Sequence, residues 1–376
     1  MPPARPQPEL VSGRKAPSRF ELTLIWLLTG VVFFAVLRHF QNYQQQIGGF
    51  GDDHNYLQAA NAIRHWQISG AEVKQFWGLP YFVAAVSSVG ISSRAGLVVV
   101  SLLSSLAAVL LAWELWGARV AGFFTVLSFP WIQLSFLGGA EPLFVALLFA
   151  SFWAARKQSW VSSTILASLA TVVRPLGLFA LVGIGLTLLL RRDYAKAMIC
   201  TGVSLLIGFL YLLPFWIYLH DPLYQFHQYQ RVDWHAGIPV CWPFQILIWS
   251  FLHHRLPWTN DLFTLVWIAF TLVGGAAMVA QADRSYSRER LRESIPAHFN
   301  ESLFALLYIA FLFTYNSEWA RGEFPRFVIP VIPFLLSTLG DRLPKSRALL
   351  YCLAVLSAAL GACSVIGIHN VFSAIG

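Results

Sequence analysis

Long apolar runs recur along almost the entire chain, at residues 21–38, 95–113, 120–137, 141–155, 160–174, 176–190, 197–219, 262–280, 302–315, 327–340 and 348–368. Runs of this kind must bury their faces against one another or against lipid. A chain of 376 residues that is 57% hydrophobic and 12% charged has too few charges to clothe a soluble globule. The runs therefore predict an all-α polytopic membrane protein of about 11 transmembrane helices, since helices satisfy their own backbone in hydrocarbon. Several runs fall short of the ~20 residues of a perpendicular span. Helices broken at Pro or Gly and packed inside the bundle are expected there.

Charge sets the orientation. Residues 1–19, with five prolines and Arg5, Arg14, Lys15 and Arg19, read as a disordered basic cytosolic tail ahead of a retained signal-anchor helix. Residues 20–376 then form a single transmembrane domain. Residues 79–91 are apolar but short, and whether they cross decides everything downstream. Taken as an interfacial helix, they leave 17 of the 26 basic residues on the cytosolic side, in the tail and at 119, 156–157, 191–196, 284–292 and 342–347. Taken as a span, they reverse that majority, against the positive-inside rule. The non-crossing reading makes 39–94 a first outer loop with amphipathic, interfacial helices and 220–261 a second outer loop. Cys200, Cys241, Cys352 and Cys363 are scattered without a paired motif, so neither a structural metal nor a disulfide framework is expected.

This topology gathers the chemistry-bearing residues outside. Arg174 ends one apolar run, and Pro175 follows it at once before a second run. A guanidinium at that depth costs roughly 2.5–3.5 kcal/mol on insertion scales, so such arginines face a cavity and hold an anion; snorkelling to lipid headgroups is the plainer alternative. Pro175 also keeps Arg174 out of regular helix. Arg326 opens the proline-rich stretch Pro325-Arg326-Phe327 through Pro333, and two arginines at one level can clamp a phosphate or pyrophosphate. Glu141 stands at the head of a span before Pro142, either as a helix-dipole partner or as a pocket acid. In the first outer loop, Gly51-Asp52-Asp53-His54-Asn55-Tyr56 precedes a helical periodicity. One aspartate can cap that helix. Two exceed what a cap needs, and the pair can supply a general base together with a ligand for a sugar hydroxyl or a divalent cation. The loop 220–242 interleaves aromatics with Gln, Asp, Arg and His, including His235, a mixture that suits sugar faces and equally an interfacial aromatic belt.

Gly51-Asp52-Asp53 with Tyr56 after the first run, Glu141-Pro142-Leu143-Phe144, Arg174-Pro175-Leu176-Gly177 and Arg326-Phe327 with Pro330 and Pro333, in that order over about residues 20–340, resemble the GT-C membrane glycosyltransferases. That superfamily includes protein O-mannosyltransferases, GPI-anchor mannosyltransferases and bacterial lipid-A or cell-wall sugar transferases. The chain departs from it in having Gly78-Leu79-Pro80 where a Pro-Pro often follows the first loop. The resemblance implies transfer of a sugar, a hexose such as mannose, from a polyprenyl-phosphate donor to a glycan, lipid or protein acceptor at the non-cytosolic face. Carried over by position, it puts the family's first-loop acid at Asp52 or Asp53 and its proline-flanked arginines, for the substrate phosphate, at Arg174 and Arg326. One aspartate is then expected as the catalytic base and the other as ligand of a sugar hydroxyl or of Mg or Mn, with Glu141, His54, Tyr56 and His235 as further substrate-binding residues. The resemblance also implies a bacterial inner membrane in preference to the endoplasmic reticulum, a site on the periplasmic or lumenal side, and no nucleic-acid partner. A transporter or flippase of an anionic or lipid-linked substrate is the rival expectation, since broken helices and outer arginines serve it too; the sequence lacks the two similar halves that would favour it.

Single-cysteine labelling with a membrane-impermeant reagent is expected to modify position 45 and spare position 287 in sealed cells. The reverse pattern overturns the orientation.

Overall fold

The structure, a computed structural model, describes residues 17–40, 52–68, 75–253, 258–285, 298–317 and 320–366. The expected disordered tail up to residue 16, Gly51, the stretches 41–50 and 69–74 of the first outer loop, and Arg288, Arg290 and Arg292 lie outside the described residues. The remainder is all-α: among the described residues the only β pairing is two isolated bridges, Trp234 to Ser317 and Val240 to Tyr315.

The chain enters through α1 (Arg19–Phe40) and the short helices α2 (Asp53–His65) and α3 (Gly78–Ser87). Next come α4 (Ser93–Trp116), α5 (Ala118–Leu127), α6 (Phe129–Leu137), α7 (Ala140–Arg156), α8 (Trp160–Val173), α9 (Leu178–Leu190) and α10 (Tyr194–Leu219). After α11 (Tyr224–Val232) and α12 (Gln245–His253), the bundle resumes with α13 (Trp258–Ser285), α14 (Phe299–Thr314), α15 (Ala320–Phe327), α16 (Ile332–Leu339) and α17 (Arg347–Ile366). The main apolar core runs through it from Leu22 to Ile366, and a second, smaller cluster gathers Ala59, Trp77, Tyr211 and Phe215.

Six segments are long and apolar enough to cross a membrane unaided: α1, α4, α10, most of α13, the stretch from α15 through α16, and α17. The run 120–137 is a seventh only as a bent pair, because α5 and α6 meet at 78°. Ser128 produces that bend. It takes an extended conformation and caps α6 through its hydroxyl on the Trp131 amide, with Pro130 in the first turn. The four remaining runs form α7, α8, α9 and α14, of 17, 14, 13 and 16 residues. Eleven apolar runs thus become six or seven spans of sufficient length, and the short ones end where the site needs backbone breaks. The segment 79–91 forms the ten-residue α3, too short to span.

Charge lies at the two ends of the bundle. At one end Arg156 donates from Nε and Nη2 to the two carboxylate oxygens of Glu301, at 2.6 Å each, and from Nη1 to the Leu115 carbonyl at 2.6 Å. Arg119 with Asp341 (3.2 Å) and Arg347 with Glu21 (3.3 Å) lie at that end too. The opposite end carries Asp52, Glu141, Arg174 and Arg326. A buried charge must be paired to be tolerated, and Glu301 is only 2% exposed. Arg156→Met is therefore expected to cost about 3–5 kcal/mol, read as a lowered thermal unfolding midpoint in detergent. Adding Glu301→Gln should recover most of the loss, and additive losses would contradict the pairing.

Candidate functional site

The site is built on four interruptions of helix. Gly138 and Gly139 take positive φ values of 128° and 158°, conformations open to glycine and strained for side-chain-bearing residues. A Cβ on Gly138 would also stand 2.8 Å from the Leu97 side chain. This turn starts α7 and puts Glu141 in its first turn, 2% exposed. The second break is Arg174, extended at φ −145° and ψ 127° because Pro175 forbids it the helical region. A 3-10 turn over Pro175–Gly177 then restarts the chain. The third is the 3-10 turn Ile329–Val331 between α15 and α16, which leaves Arg326 at the end of α15. The fourth is the entry into α2, where Asp52 occupies the N-cap position.

These breaks converge on one cavity of about 410 Å³. Asp52, Tyr56, Glu141, Arg174 and Arg326 line it together. Glu141 is the junction: its Oε1 accepts from Arg174 Nη2 and from Arg326 Nε. Arg326 also donates from Nη1 to Glu323 at 3.1 Å and from Nη2 to Asp52 Oδ2 at 3.3 Å. All three of its nitrogens are therefore committed to carboxylates. Arg174 gives Glu141 only Nη2, and its side chain is 22% exposed against 13% for Arg326. The two arginines, equivalent in the sequence reading, are unlike here. Arg326 is an organiser, and Arg174 retains donor capacity for a ligand.

The adjacent aspartates are also separated. Asp52 makes no side-chain cap; its Oδ1 accepts from Gln75 Nε2 at 2.8 Å, and its carboxylate faces the cavity. Asp53, 1% exposed, is not in the cavity wall. It packs behind, where a Cβ on Gly138 would lie 3.4 Å from its Oδ2. The reason is angular, because consecutive residues of a helix point about 100° apart. The expected pair sharing one substrate is thus divided, with Asp52 alone at the cavity.

The same division bears on a divalent cation. Asp52 is held by Gln75 and Arg326, Glu141 by both arginines, and no three His, Cys, Asp or Glu side chains among the described residues are grouped to hold a metal. The residues present do not fit a protein-held Mg or Mn.

Two other sequence candidates stand away from the cavity. His54 is exposed and shares a hydrogen bond with Gln58 at 2.9 Å. His235 lies against Trp249, ring centres 4.5 Å apart, with its backbone bonded to Asn316. The cavity wall holds further residues that were not named individually from the sequence. Gln75, Phe76, Tyr229, Trp234 and Glu323 are among them, with Tyr308 and Phe311 of α14. Of these, Tyr229 and Trp234 lie in the loop 220–242, whose aromatic mixture the sequence marked as suited to sugar faces, and Glu323 stands three residues from Arg326 on one helical face. Tyr229 stacks on Phe76 with centroids 5.2 Å apart. Burial pushes the phenols of Tyr56 and Tyr229 well up from their usual range, with the nearby arginines opposing it. Both therefore stay protonated, and Tyr229 donates its proton to Gln75 Oε1 at 2.9 Å.

A charge-assisted junction, an aromatic wall and an apolar floor of Val173, Leu176, Phe311 and Leu312 equip the cavity for a ligand with an anionic group, hydroxyls and a greasy part. No protein-family model, curated protein or solved structure matches the chain.

The geometry ranks the arginines by structural cost. Arg326→Ala leaves Asp52, Glu141 and Glu323 facing one another without their shared cation, and is expected to lower stability by about 3–5 kcal/mol. Arg174→Ala leaves Glu141 still paired with Arg326 and should cost much less. Thermal unfolding of the purified variants measures both, and the opposite order would refute these roles.

Proposed function

We propose that the chain is a membrane glycosyltransferase that moves a sugar, of the hexose class such as mannose, from a polyprenyl-phosphate donor to an acceptor hydroxyl at the non-cytosolic face, in a bacterial inner membrane. The observation that carries the reading is the meeting of Asp52, a cavity-facing carboxylate, with Arg174, a guanidinium with unspent donors, in a partly apolar cavity at one end of a helical membrane bundle. The ordered likeness of these segments to the GT-C enzymes supports the same assignment.

In the reaction the acceptor oxygen attacks the anomeric carbon while Asp52 takes its proton. The bond from that carbon to the phosphate oxygen breaks, and its electron pair leaves with the lipid phosphate. Arg174 meets the charge that develops there, in a site already organised for it. Arg326 and Glu141 act by holding the other two in place. A single displacement inverts the anomeric centre. The aromatic wall of Tyr56, Phe76, Tyr229 and Trp234 offers faces and hydroxyls to the sugar, and the apolar residues accommodate the first isoprene units.

The test is incubation of the purified protein with a panel of radiolabelled polyprenyl-phosphate sugars and lipid, glycan and peptide acceptors. Transfer is expected from at least one donor, and Asp52→Asn should lower it 10²–10⁴-fold, the usual cost of losing a general base. Asp53→Asn should instead lower the folded yield, with turnover per folded molecule retained. Wild-type turnover in a folded Asp52→Asn variant would exclude this mechanism. Arg174→Lys keeps the charge but loses the planar fork, so its activity should fall between wild type and Arg174→Ala; full activity with lysine would remove Arg174 from the phosphate.

A further inference from the structure

The cavity's carboxylate is held from an unexpected direction. Gln75 is 5% exposed and sits in the segment between α2 and α3. Its Nε2 donates to Asp52 Oδ1 at 2.8 Å, and its Oε1 accepts from the Tyr229 hydroxyl at 2.9 Å. An amide oxygen and nitrogen look alike in outline, so their order has to come from their partners. Here a phenol kept protonated by burial donates to one end, which leaves the N–H end for Asp52. The Gln75 backbone is fixed as well: its carbonyl accepts from Gln225 Nε2 at 2.7 Å, and Gln225 Oε1 accepts from the Tyr211 hydroxyl. Tyr211 in turn receives the Trp77 amide at 3.2 Å. Both Gln225 and Tyr229 belong to α11, in the second outer loop.

From this chain of bonds we infer that Gln75 is a positioning residue for Asp52, and that α11 fixes it in that role through Tyr229 and Gln225. The inference rests on the reading of Asp52 as a base. Asp52 meets an N–H on each oxygen, from Gln75 on Oδ1 and Arg326 on Oδ2. Both partners present N–H donors, so each carboxylate oxygen is held by a donor and the carboxyl is fixed in orientation toward the cavity. Charged or titratable groups around it are Asp53 beside it, Tyr56 one turn on, Glu141 and Glu323 through Arg326, Arg174, Tyr229 behind Gln75, and Asp233 at the end of α11, which lines the same cavity. Among the described residues Gln75 is the neutral group that hydrogen-bonds the carboxylate, and its polarity is set from a different loop. The second outer loop thereby governs whether the first loop's acid is ready.

The test follows the Asp52 carboxyl directly. Protein labelled with ¹³C-aspartate is titrated by infrared spectroscopy in detergent, and the Asp52 band is the one that Asp52→Asn removes. Gln75→Glu places a second carboxylate against Asp52. Like-charged pairs push one apparent pKa up strongly, so the Asp52 band should titrate at least about one pH unit above wild type. Tyr229→Phe deletes one hydroxyl, leaves Gln75 free to turn over, and should give a smaller displacement in the same direction. An Asp52 titration that stays at the wild-type pH in both variants would overturn the positioning role. A purely structural Gln75 would lower the unfolding temperature and leave the titration where it was, which is the same overturning result. In the transfer assay, the acid limb of the rate profile should move with the band. Absence of transfer by wild type from every donor, with the band still displaced in Gln75→Glu, would sink the glycosyltransferase reading and leave the positioning role intact.

Discussion

Everything at the cavity depends on the carboxylate of Glu141. It is buried, its Oε1 takes both arginines, and its Oε2 has no hydrogen-bond partner. A lone ionised acid in such a place would be driven neutral. Two guanidiniums make the charge tolerable, and the carboxylate in return makes two guanidiniums tolerable at one point, where alone they would repel. The cluster also ties together elements far apart in sequence, since Glu141 comes from α7, Arg174 from the end of α8 and Arg326 from α15. Asp52 joins them through Arg326. The bundle can thus be mostly apolar because its charges are concentrated where they compensate one another.

Much of this was readable in advance, for reasons that differ by residue. Membrane character follows from composition and run length, which survive any detail of packing. The interruption at Arg174-Pro175 was legible because proline restricts its predecessor whatever the tertiary context. The bend between α5 and α6 was not, since Ser128-Phe129-Pro130 lies in an unbroken apolar stretch and only the angle between two packed helices gives it meaning. The same limit applies to Asp52 and Asp53. Adjacency in sequence suggests a shared role, yet helical geometry sends neighbours to different faces, and which face meets the cavity depends on where α2 lies.

Gln75 and Tyr229 illustrate a second kind of blindness. Neutral polar residues in loops resemble ordinary surface residues until their partners are known, and the hydrogen bonds from α11 to the segment before α3 join positions 150 and 154 residues apart. Arg321 is a parallel case away from the cavity. It is 2% exposed, bonds the Ser250 carbonyl at 2.7 Å and Asp261, and lies over the Phe251 ring at 4.1 Å. By sequence it is one more arginine between two apolar runs. In the fold it fastens α12 and α13 to α15, the helix that carries Arg326.

The bent pair α5–α6 has a consequence for the order in which the molecule is made. Eight of the nine residues of α6 are buried, and its cover comes partly from α17: the Gln133 amide donates to the Gly361 carbonyl at 2.9 Å, and Leu350 packs against Gly122 of α5. α17 lies in turn along α1, through Arg347 and Glu21. A ribosome delivers α5 and α6 more than two hundred residues before the helix that closes over them. During that interval a sharply turned apolar segment with polar backbone at its corner must be sheltered by something other than its final neighbour, whether the insertion machinery or a chaperone of membrane helices. α17 therefore acts as a latch that closes over α5 and α6 and ties them to α1.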